Sequence, residues 1–352
     1  MFRALHGRLP ALLPVLLLAA CSAGNGNGNG NGNGSAPSPA AEPRFMTVEN
    51  PALRLHGFRE SFEIAPVLLA AEQHFPPGVS IKRGGIPNLV GTTGIGGYGD
   101  PGVADIATHA ETQLLRFSVA RPDLRTIMTV TEGLYRIVGR RSSGIASLAD
   151  LKGKRIATVP DTSAEFFLEK MLATVDLGLA DVTVVGDVPL PDMPDALAKG
   201  DVDALAIWEP ESEKGALALG DDAVAFDGAG VYREIFNLNT TQAALADPEK
   251  RAHIKAFLRA VIQASRDMAK DPAPAQALVM QMSGHPADVV AAGWPHHRYL
   301  AGRVPDILDV LVEEERWLAA REDREPRDRE TLSRLIDYSL LDEIMAEGGD
   351  GN

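Results

Sequence analysis

Short apolar segments alternate with amphipathic stretches from residue 53 to residue 207, and this alternation restricts the fold more than any other feature. Residues 53–56, 155–159, 182–185 and 204–207 are strand candidates. After the second of these, apolar residues recur at helical spacing, namely Phe166, Phe167, Met171, Leu172 and Val175. Strands that alternate with helices build sheets covered by helices. The sequence therefore predicts an α/β protein.

The pattern changes after Pro248, where helical stripes follow one another. Apolar residues recur on one face of the first of these helices and again in two later stripes: Ile254, Phe257, Leu258, Val261 and Ile262; Ile307, Val310 and Leu311; Leu332, Leu335 and Ile336. Recurrence at three and four residues is typical of helices that cover a core. We therefore predict a helical C-terminal extension of the α/β fold.

The N-terminal segment contains the single cysteine of the chain, Cys21. Arg3 and Arg8 precede an apolar run at residues 9–20, which is too short to span a bilayer. A basic start, a short apolar run and small residues before the cleavage point are typical of a secretory signal peptide, here residues 1–20. Residues 18–21, Leu-Ala-Ala-Cys, resemble the bacterial lipobox, which implies cleavage before Cys21 and its lipidation. An ordinary signal peptide with a chance cysteine is the alternative.

Residues 21–44 predict a tether between this anchor and a folded body. Asn-Gly pairs fill residues 25–34, and a Ser/Pro/Ala-rich run continues to Pro43. Such a composition has no apolar surface to bury, so we expect disorder. A flexible chain of this length reaches on the order of 27 Å. The body can then move above the membrane to which Cys21 holds it.

Composition excludes several classes of function. The formal net charge is −14, and removal of residues 1–20 would remove two further arginines, which makes nucleic acid an improbable partner. Lipidation of Cys21 leaves no thiol for a disulfide or for catalysis. The histidines His285, His296 and His297 lack the paired spacing of a zinc site. We predict no cofactor, no metal and no enzyme.

Two stretches of the body resemble each other. Residues 102–111 (GVADIATHAE) and residues 200–209 (GDVDALAIWE) each place an aspartate three residues after a glycine and a glutamate six residues after that aspartate. The body is long enough for two lobes, each with its own core. We therefore predict two pseudo-equivalent lobes.

Three further stretches carry a resemblance to a family. Residues 143–172 (SGIASLADLKGKRIATVPDTSAEFFLEKML), 196–210 (ALAKGDVDALAIWEP) and 246–273 (ADPEKRAHIKAFLRAVIQASRDMAKDPA) resemble the substrate-binding proteins of ABC importers in the nitrate, sulfonate, taurine and thiamine-precursor class. The resemblance implies a two-lobed, periplasmic-binding-protein-like (type II) fold. Lobe one would comprise residues 45–140 plus 241–352, and lobe two residues 141–240.

The same resemblance implies the biological role. The chain would be an exported, monomeric lipoprotein on the cell envelope. It would capture a small polar organic molecule or oxyanion, of sulfonate, nitrate, taurine or pyrimidine type, between its two lobes and deliver it to an ABC permease and its ATPase. Two alternatives remain open: a membrane-tethered solute sensor, and an enzyme similar to the pyrimidine synthases of this fold.

The ligand site is predicted at the carboxyl ends of strands, where helix N-termini present free N–H groups. Ten residues follow such ends or lie beside them: Arg59, Ser61, Thr108, His109, Glu111, Tyr135, Thr162, Ser163, Trp208 and Glu209. Some of them have simpler explanations. Thr162 with Glu165 matches a capping box, and Trp208 is as well suited to a core.

The sign of the ligand charge is open at this point. Arg59 and the helix starts favour an anion, whereas Glu111 and Glu209 would repel one in a closed cleft. We predict a ligand with at least one hydrogen-bond-donating nitrogen, accepted by Glu111 or Glu209. Residues 94–99 match GxGxxG within the glycine-rich stretch 91–102, but no helix pattern follows, so we expect a flexible loop there rather than a phosphate site.

Overall fold

The computed structural model describes residues 41–91 and 99–348, and the described residues from Glu42 onward form one compact unit. The predicted signal peptide, Cys21, most of the tether and residues 92–98 of the glycine-rich stretch lie outside the described residues. Arg44, the last residue of the predicted tether, begins a short helix whose Phe45 is buried. Within the described ranges, no helix combines the length and apolarity needed to cross a membrane.

The described strands are β1 Leu53–Gly57, β2 Val79–Arg83, β3 Ile106–Ala110, β4 Leu124–Gly133, β5 Arg136–Arg140, β6 Arg155–Ala157, β7 Thr183–Val185, β8 Ala204–Ile207, β9 Ala223–Asp227, β10 Glu234–Thr241 and β11 His297–Gly302. The described α-helices are α1 Arg44–Thr47, α2 Ala65–Leu69, α3 Ile86–Leu89, α4 Glu111–Ala120, α5 Ser163–Ala173, α6 Met193–Lys199, α7 Glu211–Leu219, α8 Gln242–Ala246, α9 Pro248–Lys270, α10 Ala273–Ser283, α11 Ala287–Gly293, α12 Ile307–Arg321, α13 Arg329–Ser333 and α14 Ser339–Gly348. A π-helical turn, Ala70–His74, continues α2. Short 3-10 turns cover Arg141–Ser143, Leu148–Leu151, Leu179–Asp181, Leu190–Asp192, Gly220–Asp222 and Trp294–His296.

The strands form two mixed sheets. The first has six strands in the order β11-β4-β10-β3-β1-β2, and the second has five in the order β7-β6-β8-β5-β9. In both sheets a parallel trio is followed by an antiparallel strand, β10 in the first sheet and β5 in the second. The predicted α/β class is confirmed.

The two similar sequence stretches occupy equivalent positions in these sheets. The first contains β3, which pairs in parallel with β1 and antiparallel with β10. The second contains β8, which pairs in parallel with β6 and antiparallel with β5. The shared pattern of glycine, aspartate and glutamate therefore marks corresponding strands.

The chain crosses between the sheets twice. β4 of the first sheet ends at Gly133 and β5 of the second begins at Arg136; β9 ends at Asp227 and β10 returns to the first sheet at Glu234. The lobe limits that we predicted, 140/141 and 240/241, assign β5 and most of β10 to the opposite sheet. A division into two lobes, one around each sheet, stays a proposal, with the crossovers as its limits.

Helices dominate the chain after Pro248, as predicted, with one strand among them. In α9, the side chain of Asp247 accepts hydrogen bonds from the backbone N–H groups of Glu249 and Lys250 and so caps the helix. Its apolar face, which includes Phe257, is buried. The strand is β11, which pairs with β4 at the edge of the first sheet. Its sequence, HRYLAG, has too little alternation to predict an edge strand.

Candidate functional site

A cavity of about 500 Å³ lies where the parallel strands of both sheets end. The ends of first-sheet strands, the residues after them and the start of β10 contribute Phe58, Ser61, Glu63, Gly84, His109, Ala110, Gln113, Glu234 and Phe236 to its wall. The second sheet and its connections contribute Val159, Thr162, Ser163, Gly186, Val188, Pro189, Leu190, Pro191 and Trp208, and Tyr135 lies at the crossover. Strand ends of a parallel arrangement are the usual position of a ligand in such sheets.

Six of the ten predicted site residues line this cavity: Ser61, His109, Tyr135, Thr162, Ser163 and Trp208. They come from both sheets, although the sequence places them far apart. Their contact with a ligand stays a prediction. Arg59, Thr108, Glu111 and Glu209 are absent from the described wall.

Arg59 and Thr108 are directed to other parts of the protein. The Arg59 guanidinium contacts Glu60, with 3.3 Å between Nε and Oε1, and the sulfur of Met46 at 3.0 Å. Thr108 is fully buried in β3. Its hydroxyl lies beside Gly57, where a Cβ atom would come within 2.5 Å of Oγ1. Thr108 therefore contributes to the packing of β1 against β3.

Glu111 and Glu209 are also satisfied by the protein itself. Glu111 accepts hydrogen bonds from the Tyr232 hydroxyl at 2.7 Å and from the Ile235 backbone N–H at 2.8 Å. Glu209 accepts from the Nε atom of Arg136 at 2.8 Å and from the backbone N–H of Glu213 at 2.9 Å. The structure thus gives these two carboxylates internal partners, and we withdraw them as acceptors for a ligand nitrogen.

Two other carboxyl groups line the cavity, and sequence reasoning missed both. Glu63 lies in the connection after β1, and Glu234 is the first residue of β10; they are 2% and 4% exposed. The Oε2 atom of each has no protein donor within the described part of the chain. Burial and the neighbouring Glu63 raise the pKa of Glu234 well above its usual value. We therefore expect Glu234 to hold a proton more readily than an ordinary glutamate does.

Two hydroxyl groups of the cavity wall lie next to each other. The Tyr135 hydroxyl and Ser163 Oγ lie 3.0 Å apart, and burial raises the pKa of Tyr135 well above its usual value, so the phenol remains protonated. Thr162 caps α5 by accepting from the N–H of Ala164 at 3.2 Å, whereas Glu165 accepts from the N–H of Asp161 at 2.8 Å. In each of the two hydrogen bonds of the predicted capping box, the N–H donor is therefore one residue earlier in the chain than predicted.

His109 is a hydrogen-bond donor rather than a base. Its Nδ1 accepts from the backbone N–H of Ile86 at 3.2 Å, so the proton of the neutral ring lies on Nε2. Burial, with a smaller contribution from Arg116, lowers the pKa of His109 to about 4. The ring is therefore neutral at neutral pH and offers one N–H.

Aromatic side chains form the apolar part of the cavity wall. The rings of Phe58 and Trp208 meet edge to face with centroids 6.2 Å apart, and Tyr135 lies 6.0 Å from the Trp208 ring. Two polar atoms here, the Trp208 Nε1 and the Ser61 Oγ, have no hydrogen-bond partner among residues 41–91 and 99–348. A wall of this kind accommodates a flat or apolar body and leaves polar atoms for its substituents.

One cluster outside the cavity has the residue types of a metal site. Ligand atoms of Glu209, Glu213 and His296 all lie within 4.8 Å of one another. The guanidinium of Arg136 already donates to both glutamates, at 2.5 Å and 2.6 Å from its Nη2 atom. Because this guanidinium already occupies acceptor oxygens of both glutamates, we assign no metal to the cluster.

Residues 100–275 match the family described as NMT1/THI5 like. The alkanesulfonate-binding protein SsuA from Xanthomonas axonopodis pv. citri, bound to MOPS, is similar at a TM-score of 0.64 with 22% identity, over 82% of this chain and 99% of that one. The periplasmic aliphatic sulphonate binding protein SsuA from Escherichia coli gives 0.65 with 18% identity, over 79% and 90%.

No curated protein sequence matches. The structure of an enzyme, however, is also similar. The desulfurization enzyme DSZB gives a TM-score of 0.55 with 16% identity, over 84% of this chain and 99% of that one. These likenesses confirm the predicted periplasmic-binding-protein fold. They also show that both binding proteins and an enzyme use it.

Proposed function

Because the chain belongs to the NMT1/THI5-like family, we propose that it is the solute-binding component of an ABC importer. The observation that supports this role is the cavity at the converging strand ends of the two sheets, with polar groups from both. A solute held there would draw the two sheets together, and an importer recognises such a closed form. The likeness to sulfonate-binding periplasmic proteins supports the same role.

The proposal includes the predicted attachment and partners. The protein would be exported, anchored by lipidated Cys21 and joined to its body by the tether of residues 21–44. It would act as a monomer with a permease and its ATPase, without a cofactor. Catalysis is the second candidate, since a desulfurization enzyme shares the fold.

A solute screen distinguishes these roles. The soluble body, beginning at residue 42, is tested by thermal shift against sulfonates, nitrate, pyrimidines and amines. A solute at one hundred times its dissociation constant adds about 2.7 kcal/mol, which raises the melting temperature by a few degrees. Each stabilising solute is then incubated with the protein and analysed by mass spectrometry. Recovery of unchanged solute supports binding for transport, and multiple turnovers would establish an enzyme.

We expect Trp208→Ala to weaken binding of such a solute at least about tenfold, because the ring forms part of the cavity wall. Calorimetric titration measures the affinity, and urea denaturation measures the stability. Trp294→Ala is the matched control, since that ring packs against Tyr299 with centroids 4.7 Å apart and does not line the described cavity. Unchanged affinity with a loss of several kcal/mol in stability would make Trp208 a core residue.

We expect Cys21→Ala to move the protein from the membrane to the soluble fraction while the affinity for solute is retained. The reason is that the acyl chains would be attached at Cys21 alone, and the cavity is built from residues beyond the tether. Detergent phase partitioning of the expressed full chain checks this. A variant that stays in the detergent phase would contradict lipid anchoring.

A further inference from the structure

We propose that the cavity selects a small organic cation, an amine on an apolar body, whose protonated nitrogen lies against Glu63 and Glu234. This inference rests on the proposed function, because it names the class of solute that the same cavity binds.

The charges that line the cavity are of one sign. Glu63 and Glu234 are the ionisable acids of the described wall, and neither lysine nor arginine lines it. Residues 92–98 contain no basic side chain in their sequence. A bound anion would thus meet two carboxyl groups with no lysine or arginine on the described wall to offset them, which is unfavourable in a poorly hydrated cavity.

The unpartnered atoms of the wall suit a nitrogen donor. Both Oε2 atoms of the carboxyl pair lack a donor in the described part of the chain, and Ser61 Oγ, in a side chain only 2% exposed, lacks a partner as well. An ammonium group has three N–H donors, which is enough for the two carboxyl groups and the serine hydroxyl. Its charge would also stabilise the ionised form of the pair.

The aromatic part of the wall suits the rest of the molecule. Phe58, Trp208 and Tyr135 form a continuous set of edge-to-face and tilted ring contacts. An apolar or aromatic body packs on these faces, and a cation near them gains from the ring quadrupole. The site therefore has separate positions for the charge and for the body of the ligand.

Binding of an ammonium group should release a proton from the carboxyl pair. In the free protein we expect Glu234 to hold a proton, because burial and the neighbouring Glu63 raise its pKa. An ammonium group favours the ionised pair and displaces that proton, so the affinity for an amine should rise with pH. The titratable groups that interact with the pair come from several elements: Tyr135 and Tyr232 near the two crossovers, Glu111 of α4, Glu314 of α12, and Tyr299 and His297 of β11. The Nε2 atom of His297 lies 3.5 Å from Glu63 Oε1.

The N-terminus of α5 is the feature that favours the opposite class. Thr162 and Ser163 begin this helix and line the cavity, and free N–H groups at a helix start attract anions. The alkanesulfonate-binding neighbour holds a sulfonate-bearing molecule, MOPS. A sulfonate is therefore the alternative against which the experiment is designed.

Three probes with one body test the proposal: 2-phenylethylamine, 2-phenylethanol and 2-phenylethanesulfonate. The amine is expected to bind at least about tenfold more tightly than the alcohol, as measured by calorimetric titration at pH 7. Glu63→Gln and Glu234→Gln should each reduce this preference to about threefold or less and leave the alcohol unchanged. Exposed Glu330→Gln, whose side chain is 78% exposed, is the matched control and should keep the preference.

Proton release is measured on the unaltered protein, so the proposal stays testable even if a variant fails to fold. Amine titrations in two buffers of different ionisation enthalpy should show release of up to one proton, and His297→Gln separates the contribution of that ring. Tighter binding of the sulfonate than of the amine would overturn the cation proposal and leave the solute-binding role intact. A preference that persists in both glutamate variants, or no proton release, would also overturn it. If neither these probes nor any solute of the wider screen binds, the proposed function falls too.

Discussion

Replacing Arg136 by alanine is expected to lower the free energy of unfolding by about 3–5 kcal/mol. The guanidinium is 10% exposed and bridges Glu209, which is 1% exposed, and Glu213. Without it, two carboxylates that are held inside the protein lose their counter-ion. The loss is large because the cost is that of uncompensated buried charge and not the value of one ion pair. Urea denaturation at pH 7 measures it.

An exposed ion pair provides the control for this measurement. Arg329 and Asp309 are 56% and 67% exposed, so Arg329→Ala should change stability by no more than about 0.5 kcal/mol. Arg136→Ala together with Glu209→Gln and Glu213→Gln should recover part of the loss, since the charges are removed together. If Arg136→Ala alone costs no more than the control, the cluster is solvated and our account of it is wrong.

Glu315→Gln is expected to destabilise the protein by about 2 kcal/mol at neutral pH and by progressively less in acid. Glu315 of α12 is fully buried and accepts from Arg324 at 2.5 Å and from the Arg327 guanidinium at 2.8 Å. Burial opposes its ionisation, but the hydrogen bonds from Arg327 and Arg324 outweigh burial and lower the pKa of Glu315 to about 2. Partial exposure of both arginines keeps the expected effect below what the pKa difference alone would give.

The sign of the pH dependence follows from the lowered pKa. An ordinary glutamate in the unfolded chain has a pKa of about 4.3, so the stabilisation from Glu315 is complete above that pH and is lost as the pH falls toward about 2. Urea denaturation of both proteins from pH 7 to pH 3 should therefore show a narrowing difference. Glu313→Gln is the matched control on the same helix, because that side chain is 53% exposed. A difference that stays constant with pH would contradict this account.

Periodicity predicted those parts of the fold in which local pattern and burial agree. The strands β6 and β8 and the long helix α9 have apolar faces that pack in the cores, and each lies within or close to its predicted segment. The strand with which the chain returns to the first sheet, β10, could not be predicted in this way. β10, with the sequence EIFNLNTT, has buried polar side chains in a central strand. Asn237 accepts from Thr129 at 2.8 Å and Asn239 from Thr126 at 2.6 Å, partners that only the folded sheet brings together.

The candidate site shows the same limit. Strand-end reasoning selected Ser163 and Trp208, which line the cavity, because the end of a strand can be read from its pattern. It also selected Glu111 and Glu209, which do not line the described cavity. A glutamate after a strand gives no indication of its partners, which here are Tyr232 and Arg136. Glu234 begins a strand instead of ending one, so no rule about carboxyl ends could have selected it.

The central position of β10 determines the order in which the protein can fold. The five strands of the second sheet come from one continuous segment, and its two ends meet where the Gly228 N–H donates to the Tyr135 carbonyl at 3.0 Å. The six-stranded sheet, in contrast, needs β10 between β3 and β4, which precede that whole segment in the chain. Closing so long a loop carries an entropic cost that a compact inserted segment reduces. The second sheet can therefore form from one continuous segment of the chain. The first sheet cannot be completed until β10, which ends at Thr241, is available to pair with β3 and β4.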